Sequence, residues 1–230
     1  MTATLFLAFL GLIAGLVITL IARYIGTRAA LCVLAGLTVW FLYAGLMGYF
    51  GVVRDSALRP PGILFIVVPV VLFLVVFLLR VRSSGAALSF PLWILIGTQS
   101  FRIGVELFLH QLWIEGVVPK TLTFEGANMD IFIGASAPFI ALLCVRGGSL
   151  ANKAALAWNV LGLLALANVV TRSVLTAPGP FNLIHAEVPN MMMSTFPYLF
   201  IPAFFVPLAI VLHILAIKSG LKAKLLPLRP

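Results

Sequence analysis

The sequence predicts an all-α membrane protein, a polytopic bundle of about seven transmembrane helices with the N-terminus outside and the C-terminus inside. The first observation is composition: 63% of the 230 residues are hydrophobic and 9% are charged, against about 45–50% and roughly 25% in soluble domains. The second is that the apolar residues stand in long runs, with a mean hydropathy of +1.20. This composition excludes an ordinary soluble globule, a disordered chain and a nucleic-acid-binding domain.

Seven stretches are apolar enough to cross a hydrocarbon core, for which a helix needs about 20 residues. They form a single integral-membrane domain over residues 1–230 and cover residues 3–22, 29–50, 63–79, 88–113, 129–145, 150–170 and 194–217. They lack the period-2 alternation that a membrane β-barrel requires. The last stretch contains Pro197, Pro202 and Pro207, which predict a kink or an irregular start.

The distribution of lysine and arginine predicts the orientation. With the C-terminus inside, ten of the 15 basic residues lie in inner segments, four lie in outer segments, and Arg102 lies within the fourth span. The positive-inside rule therefore favours N-out, C-in. The net charge of +9 reflects this bias. The basic C-terminal tail is predicted to lie on anionic lipid at the cytoplasmic face; it contains Lys218, Lys222, Lys224 and Arg229.

The fourth span is the polar one. One helix face carries four polar side chains at spacings of three, four and four residues: Gln99, Arg102, Glu106 and His110. A charge near the bilayer centre costs at least about 2.5–3.5 kcal/mol on insertion scales, so this face is expected at the centre of the bundle. Three interpretations stay open: Arg102 and Glu106 form a structural ion pair, the stripe is a ligand or ion site, or the helix boundary lies elsewhere.

The loop after span four holds a second group of polar residues, Glu125, Asn128 and Asp130, at the outer mouth of span five. His110 is close to them in depth because span four runs from inside to outside. Asn128 is a candidate helix cap, and Glu125 lies in a predicted tight turn before Gly126.

Secondary candidates lie at the outer side of the bundle: Glu115, Arg172, His185 and Glu187. Arg172 either extends to the outer headgroups or faces the acidic residues or an anionic ligand. His213 lies near the inner end of the last span, at a different depth from His110 and His185. It is therefore interpreted as an interfacial or core histidine.

Three strings carry a resemblance: Phe101-Arg102-x-x-x-Glu106, then Thr123-Phe-Glu125-Gly126-x-Asn128-x-Asp130, then Val206-Pro207 followed by His213. Together they resemble a group of small bacterial integral-membrane proteins without an established activity. The resemblance covers mainly residues 98–139 and 196–217. It implies a multi-pass protein of the bacterial cytoplasmic (inner) membrane and a shared role for these residues, but no activity.

No cofactor is predicted. The nearest set of metal ligands is Glu106, His110 and Asp130, yet the sequence has no histidine or cysteine pair at zinc spacing. Cys32 and Cys144 lie near cytoplasmic ends of spans, where a disulfide is not expected. In span one, Gly11 and Gly15 permit close helix packing, either within the bundle or in a homo-oligomer.

These features favour small-solute or proton transport, or ligand sensing, through a polar pocket open to the extracytoplasmic side. The candidate residues are Gln99, Arg102, Glu106, His110, Glu125, Asn128 and Asp130. Arg102 would orient Glu106, Glu106 and His110 would exchange protons or contact solute, and the outer acids would attract cations. Two alternatives stay open: a membrane-embedded enzyme that modifies lipids, with or without a metal, and a structural or accessory subunit.

Overall fold

The computed structural model describes residues 2–55, 58–59, 61–83, 89–179 and 181–225. All regular structure in these residues is helical, and no strand occurs in them. The α-helices are α1 (Thr2–Tyr24), α2 (Thr27–Tyr49), α3 (Leu64–Ser83), α4 (Leu92–Thr98), α5 (Phe101–Ile114), α6 (Asp130–Arg146), α7 (Ser149–Thr176) and α8 (Val206–Leu225). Because α4 and α5 follow one path, the helices correspond to the seven predicted stretches.

Six of these paths are long and apolar enough to cross a membrane, with α4 and α5 counted as one. The other, α6, has 17 residues, at the lower end of the range of about 17–25 that spans a bilayer. The helical, membrane-compatible fold is therefore confirmed. The seventh crossing and the N-out, C-in orientation stay predictions. In the basic C-terminal tail, Arg229 and the side chains of Lys222 and Lys224 lie outside the described residues.

The fourth path and the last one form the centre of the bundle. In an apolar window of 18 residues from each path, half of the residues are buried in the fourth path and 56% in the last, against 22% in α1, 17% in α2 and 11% in α3. The helix α6 packs against α4, α5 and α7, and α7 packs against α8. The polar span thus occupies the central position expected from the cost of exposing charge to lipid.

The fourth path is interrupted where the polar stripe begins. Between α4 and α5 the backbone bonds reach three residues back, as from Gln99 N to Ile96 O (3.0 Å) and from Arg102 N to Gln99 O (3.1 Å). Residues three apart eclipse in this tighter 3-10 winding. Gln99 and Arg102 are therefore buried on one face.

A proline in α3 leaves a carbonyl that α2 binds. Pro69 lacks the N–H that would bond the Phe65 carbonyl in an α-helix. The hydroxyl of Tyr43 donates to that carbonyl instead, at 3.2 Å. In hydrocarbon such a freed carbonyl needs a partner, so this bond joins α2 to the beginning of α3.

The last path begins irregularly, as its prolines predict. A π-helical segment, Ile201–Phe205, precedes α8. Pro207 lacks the N–H that would bond the Ala203 carbonyl in an α-helix, and the indole Nε1 of Trp40 donates to this carbonyl at 3.0 Å. The side chains of α2 therefore bind the backbone at two proline positions.

Candidate functional site

Seven polar side chains from four parts of the fold are buried in the centre of the bundle, with exposed fractions from 0% to 7%. The fourth path supplies three of them, the segment that enters α6 supplies two, and α7 and α8 supply one each. We call these residues the polar cluster: Gln99, Arg102, Glu106, Asn128, Asp130, Asn159 and His213.

Arg102 is bound by Asp130 rather than by Glu106. Its Nε donates to Asp130 Oδ2 at 3.2 Å, and its Nη2 forms an ion pair with Asp130 Oδ1. This two-pronged geometry suits a planar guanidinium and a carboxylate. No hydrogen bond joins the described side chains of Arg102 and Glu106. The ion pair of Arg102 with Glu106 within one helix, one of the interpretations that the sequence left open, is therefore wrong. Arg102 instead pairs with Asp130, which joins α5 to α6.

Gly134 allows α5 and α6 to approach closely enough for this pair. A Cβ at Gly134 would lie 2.9 Å from Ile103 N and 3.3 Å from Arg102 Cβ, closer than packed atoms tolerate. Asp130 stands one helical turn before Gly134, on the same face of α6. The close crossing therefore brings its carboxylate to the guanidinium.

His213 binds the other side of Arg102. Arg102 Nη1 lies 2.9 Å from His213 Nε2, and His213 Nδ1 lies 2.8 Å from Asn159 Oδ1. A guanidinium only donates, so Nε2 accepts and the ring proton is on Nδ1. Asn159 Nδ2 donates onward to the Ala155 carbonyl at 2.7 Å. This chain of bonds selects one tautomer of His213 and one orientation of Asn159.

The ring of His213 has space because α7 carries a glycine beside it. A Cβ at Gly162 would overlap the His213 ring. The Trp158 ring lies on the same helix, with its centroid 5.4 Å from that of His213. Gly162 is thus a packing requirement of the polar cluster.

Glu106 has one bonded oxygen and one without a partner. Its Oε1 accepts a hydrogen bond from Asn128 Nδ2, whereas its Oε2 has none among the described residues, although the side chain is 1% exposed. Asn128 also donates to the Leu122 carbonyl (3.0 Å) and accepts from Asp130 N (3.0 Å). Asn128 therefore joins Glu106 to the first residue of α6. The cap position expected at Asn128 is occupied by Met129, which makes no side-chain capping bond.

The loop before α6 is folded so that Asn128 points inward and Glu125 outward. Thr123 Oγ1 donates to the Lys120 carbonyl at 2.9 Å, and Asn128 N donates to the Thr123 carbonyl at 3.2 Å. A Cβ at Gly126 would overlap the Lys120 carbonyl, so the turn needs glycine. Glu125 is exposed, and the structure does not bring it into the polar cluster.

Two members of the predicted stripe have separate surroundings. Gln99 Nε2 donates to the Ala209 carbonyl of α8 at 3.1 Å, and Gln99 Oε1 has no partner in the described part of the chain. The half-buried His110 ring stacks on Phe124 at a centroid distance of 4.6 Å. His110 thus lies outside the polar cluster, one turn beyond Glu106.

The secondary acidic candidates are exposed and bonded locally. Glu115 Oε1 accepts from Gln111 Nε2 and Thr2 Oγ1, both at 2.9 Å, and these bonds lower the pKa of Glu115. Glu187 Oε1 accepts from the Lys120 backbone N–H at 2.7 Å, which lowers the pKa of Glu187. Both carboxylates therefore bond groups at helix ends and in loops, outside the buried centre.

The two basic secondary candidates also stay outside the polar cluster. Arg172 donates to Asn168 Oδ1 and to Thr121 Oγ1, each at 3.0 Å. It therefore ties the loop before α6 to α7. His185 is exposed.

His213 and Asn159 are the members of the polar cluster that sequence reasoning missed. The predicted depth of His213 in the bundle differs from that of His110, and this difference excluded it from the site. Its depth matches that of Arg102, however, and this comparison would have placed the two residues together. Arg102 lies ten residues after the start of α4, and His213 lies twelve before the end of α8. Asn159 was detectable as the one amide in the apolar run of α7 between Lys153 and Asn168, a pattern typical of a buried polar partner.

Within the described residues, no group of three or more His, Cys, Asp and Glu side chains is placed to hold a metal ion. Of the weakly indicated ligand set, Asp130 is bound to Arg102 and His110 stacks on Phe124. Cys32 and Cys144 are free thiols.

A protein-family model described as a domain of unknown function (DUF8737) matches residues 60–219. The matched region contains the whole polar cluster, and α1 and α2 precede it. No curated protein and no solved structure matches the chain.

Proposed function

Because the chain belongs to the DUF8737 family, defined by a domain of unknown function, we propose its function from the geometry of the polar cluster: proton-coupled transport or sensing of a small solute in the bacterial cytoplasmic membrane. Glu106 takes up and releases the proton. Asn128, which bonds both Glu106 and the start of α6, couples the protonation state of Glu106 to the position of α6. Arg102, held by Asp130 and His213, provides the fixed framework around them.

The observation that carries this proposal is the incomplete bonding of Glu106. One oxygen accepts from Asn128, and the other has no partner among the described residues at 1% exposure. Buried polar atoms in proteins almost always have a partner, and an exception calls for an explanation such as strain, a catalytic role or a bound water or ion. A proton is a natural occupant of this oxygen.

The charges of the polar cluster couple protonation of Glu106 to a change of conformation. Arg102 and Asp130 neutralise each other, so an ionised Glu106 adds a net negative charge to a buried site. An unpaired buried charge is costly. Loss of the proton from Glu106 therefore favours a conformation that hydrates its carboxylate or pairs it with a cation, and uptake of the proton favours the closed arrangement.

A cavity lies between the start of α1 and the end of α5, the end that is predicted to be extracytoplasmic. Its volume is about 560 Å³, and its lining includes Thr2, Phe108, Gln111, Glu115 and Tyr198. His110 lies one turn from Glu106 toward this end. Phe108, Gln111 and Glu115 lie on the face of α5 opposite to Glu106, so the route proposed for Glu106 runs past His110 rather than through this cavity.

Infrared difference spectroscopy on the reconstituted protein tests proton binding directly. We expect a pH-dependent band from a protonated carboxyl group in the wild type and its loss in Glu106→Gln. Glu125→Gln is the matched control because it removes an exposed carboxyl from the same region. A band of equal intensity in wild type and Glu106→Gln contradicts the proposal.

Proton flux then separates transport from sensing. Vesicles containing the protein and a trapped pH dye are given a membrane potential. Flux above that of protein-free vesicles, abolished by Glu106→Gln and kept by Glu125→Gln, supports transport. A Glu106-dependent infrared band without flux supports sensing.

The complete bonding of Arg102 favours a second candidate, a structural or accessory subunit. Its bonds to Asp130 and His213 hold α5, α6 and α8 together without any chemistry. This candidate predicts a fixed partner that co-purifies with the chain. It also predicts an infrared spectrum that Glu106→Gln does not change.

A further inference from the structure

We propose that the cleft between α3 and the rest of the bundle binds a phospholipid of the surrounding bilayer. An acyl chain occupies the cleft, and the phosphate lies at Arg80. This site is separate from the polar cluster and does not depend on the function proposed for it.

The cleft is large enough for part of a lipid molecule. Its volume is about 640 Å³, within the range of roughly 300–1,000 Å³ typical of small-molecule sites. Phe73 and Phe77 of α3 form one wall, Leu37 and Trp40 of α2 contribute to the other, and Leu212 belongs to the floor.

The position of α3 keeps the cleft next to lipid. Only 11% of its spanning segment is buried inside the protein, and its helix contacts are mainly with α8 and the π-helical segment. One side-chain bond from α2, from Tyr43 to the Phe65 carbonyl, lies near the beginning of α3. Bilayer lipid therefore lies directly beside the opening.

The walls of the cleft select hydrocarbon. Its described lining residues include no Ser, His, Asp or Glu. The Thr98 hydroxyl donates to the Ile94 carbonyl (2.7 Å), and the Trp40 indole donates to the Ala203 carbonyl (3.0 Å). An apolar cavity gains dispersion contacts from an apolar occupant and little from water. An acyl chain fits these walls, which lack groups for chemistry on it.

Charge selects a phospholipid over a neutral lipid. Arg80 is the charged residue among the described lining residues and is exposed near the end of α3. Arg23 near the end of α1 and Arg28 near the start of α2 belong to the same predicted inner side. A guanidinium binds phosphate oxygens well. The headgroup at this end therefore carries a phosphate.

Lipid analysis of the purified protein tests the site. The protein is washed extensively in mild detergent, and its retained lipid is identified by mass spectrometry. We expect wild type to retain phospholipid and Gly36→Leu to lose it several-fold. Gly36 lines the cleft, and an added Cβ there meets no atom within 4 Å, so the first side-chain atom fits and the rest of the leucine takes up cleft space.

Ala35→Leu is the matched control, since Ala35 is the exposed neighbour on the same helix and does not line the cleft. It is expected to retain lipid as wild type does. Arg80→Gln is expected to lower retained phospholipid several-fold, and Arg80→Lys to lower it less. The proposal is overturned if washed wild type holds no phospholipid, if Gly36→Leu retains as much as Ala35→Leu, or if neutral lipid occupies the protein instead.

Discussion

The polar centre of the bundle and its apolar outer helices use polar side chains for different purposes. In the centre, α5, α6, α7 and α8 contribute side chains that bond mainly to one another, as Arg102 bonds Asp130 and His213. In α2, the polar groups of Trp40 and Tyr43 bond to backbone carbonyls freed by prolines. The first arrangement is a hydrogen-bond network whose members share partners. The second consists of separate hydrogen bonds that share none.

This difference teaches where substitutions should couple. Residues within one hydrogen-bond network show large non-additive effects, whereas distant and independent sites add. The polar centre should therefore respond to single changes by much more than the outer helices do. The predictions below follow that order.

Removal of Arg102 should have the largest effect. Arg102→Met leaves Asp130 as a buried carboxylate without its cation, which costs about 3–5 kcal/mol. We expect little folded protein by size exclusion in detergent and a strongly lowered unfolding temperature. Adding Asp130→Asn should restore part of the stability, because it removes the orphan charge. If the two changes have additive effects on the unfolding free energy, the polar centre is not more strongly coupled than the outer helices and this explanation is wrong.

Filling the space beside His213 should have the next largest effect. Gly162→Ala places a Cβ into the His213 ring, and overpacking of this kind costs about 1–3 kcal/mol. Gly15→Ala is the control in an outer helix, where an added Cβ meets nothing within 4 Å. The control should be neutral or stabilising because alanine favours helix. Equal unfolding temperatures for the two variants would contradict the packing argument.

The bond from Tyr43 to α3 should be worth less. Tyr43→Phe removes the donor to the Phe65 carbonyl, and such bonds in membranes are worth about 0.6 kcal/mol on average. In a Pro69→Ala background the same change should cost almost nothing, since the new backbone N–H at position 69 bonds that carbonyl. A double-mutant cycle of unfolding free energies measures this coupling, and a zero coupling energy would refute the explanation.

A surface carboxylate should have the smallest effect. The bond from the Lys120 N–H lowers the pKa of Glu187 in the folded protein. Its stabilisation is therefore present above the unfolded pKa and lost as the pH falls through the folded value. Because Glu187 is exposed, we expect Glu187→Gln to change stability by less than about 0.5 kcal/mol. Melting curves at neutral and acidic pH should converge for the two proteins at the acidic end.

Part of the polar centre was predictable from spacing alone. Intervals of three and four residues placed Gln99, Arg102 and Glu106 on one face, and the cost of charge in lipid required that face to point inward. The structure buries all three. Asn128 and Asp130 were also identified, from their predicted position at the outer mouth of the next span, whereas the cap expected at Asn128 is Met129.

The partner of Arg102 was not predictable in the same way. Helical spacing favours Glu106, four residues away, whereas the actual partner is 28 residues away on α6. That choice depends on how closely α5 and α6 cross at Gly134, and crossing distance is not a local property. The outward direction of Glu125 likewise follows from the backbone bonds of its loop rather than from its charge.

By itself, the sequence determined the helical, membrane-compatible class, the helical paths, the irregular start of the last path and the inward face of the fourth. Each follows from local hydropathy, from prolines, or from spacing within one helix. Only the tertiary structure decided that Asp130 and His213 share Arg102, that Glu106 keeps an oxygen without a partner, and that α3 leaves a cleft beside α2. These features depend on distances between helices, which the packing of small and large side chains sets across the whole bundle.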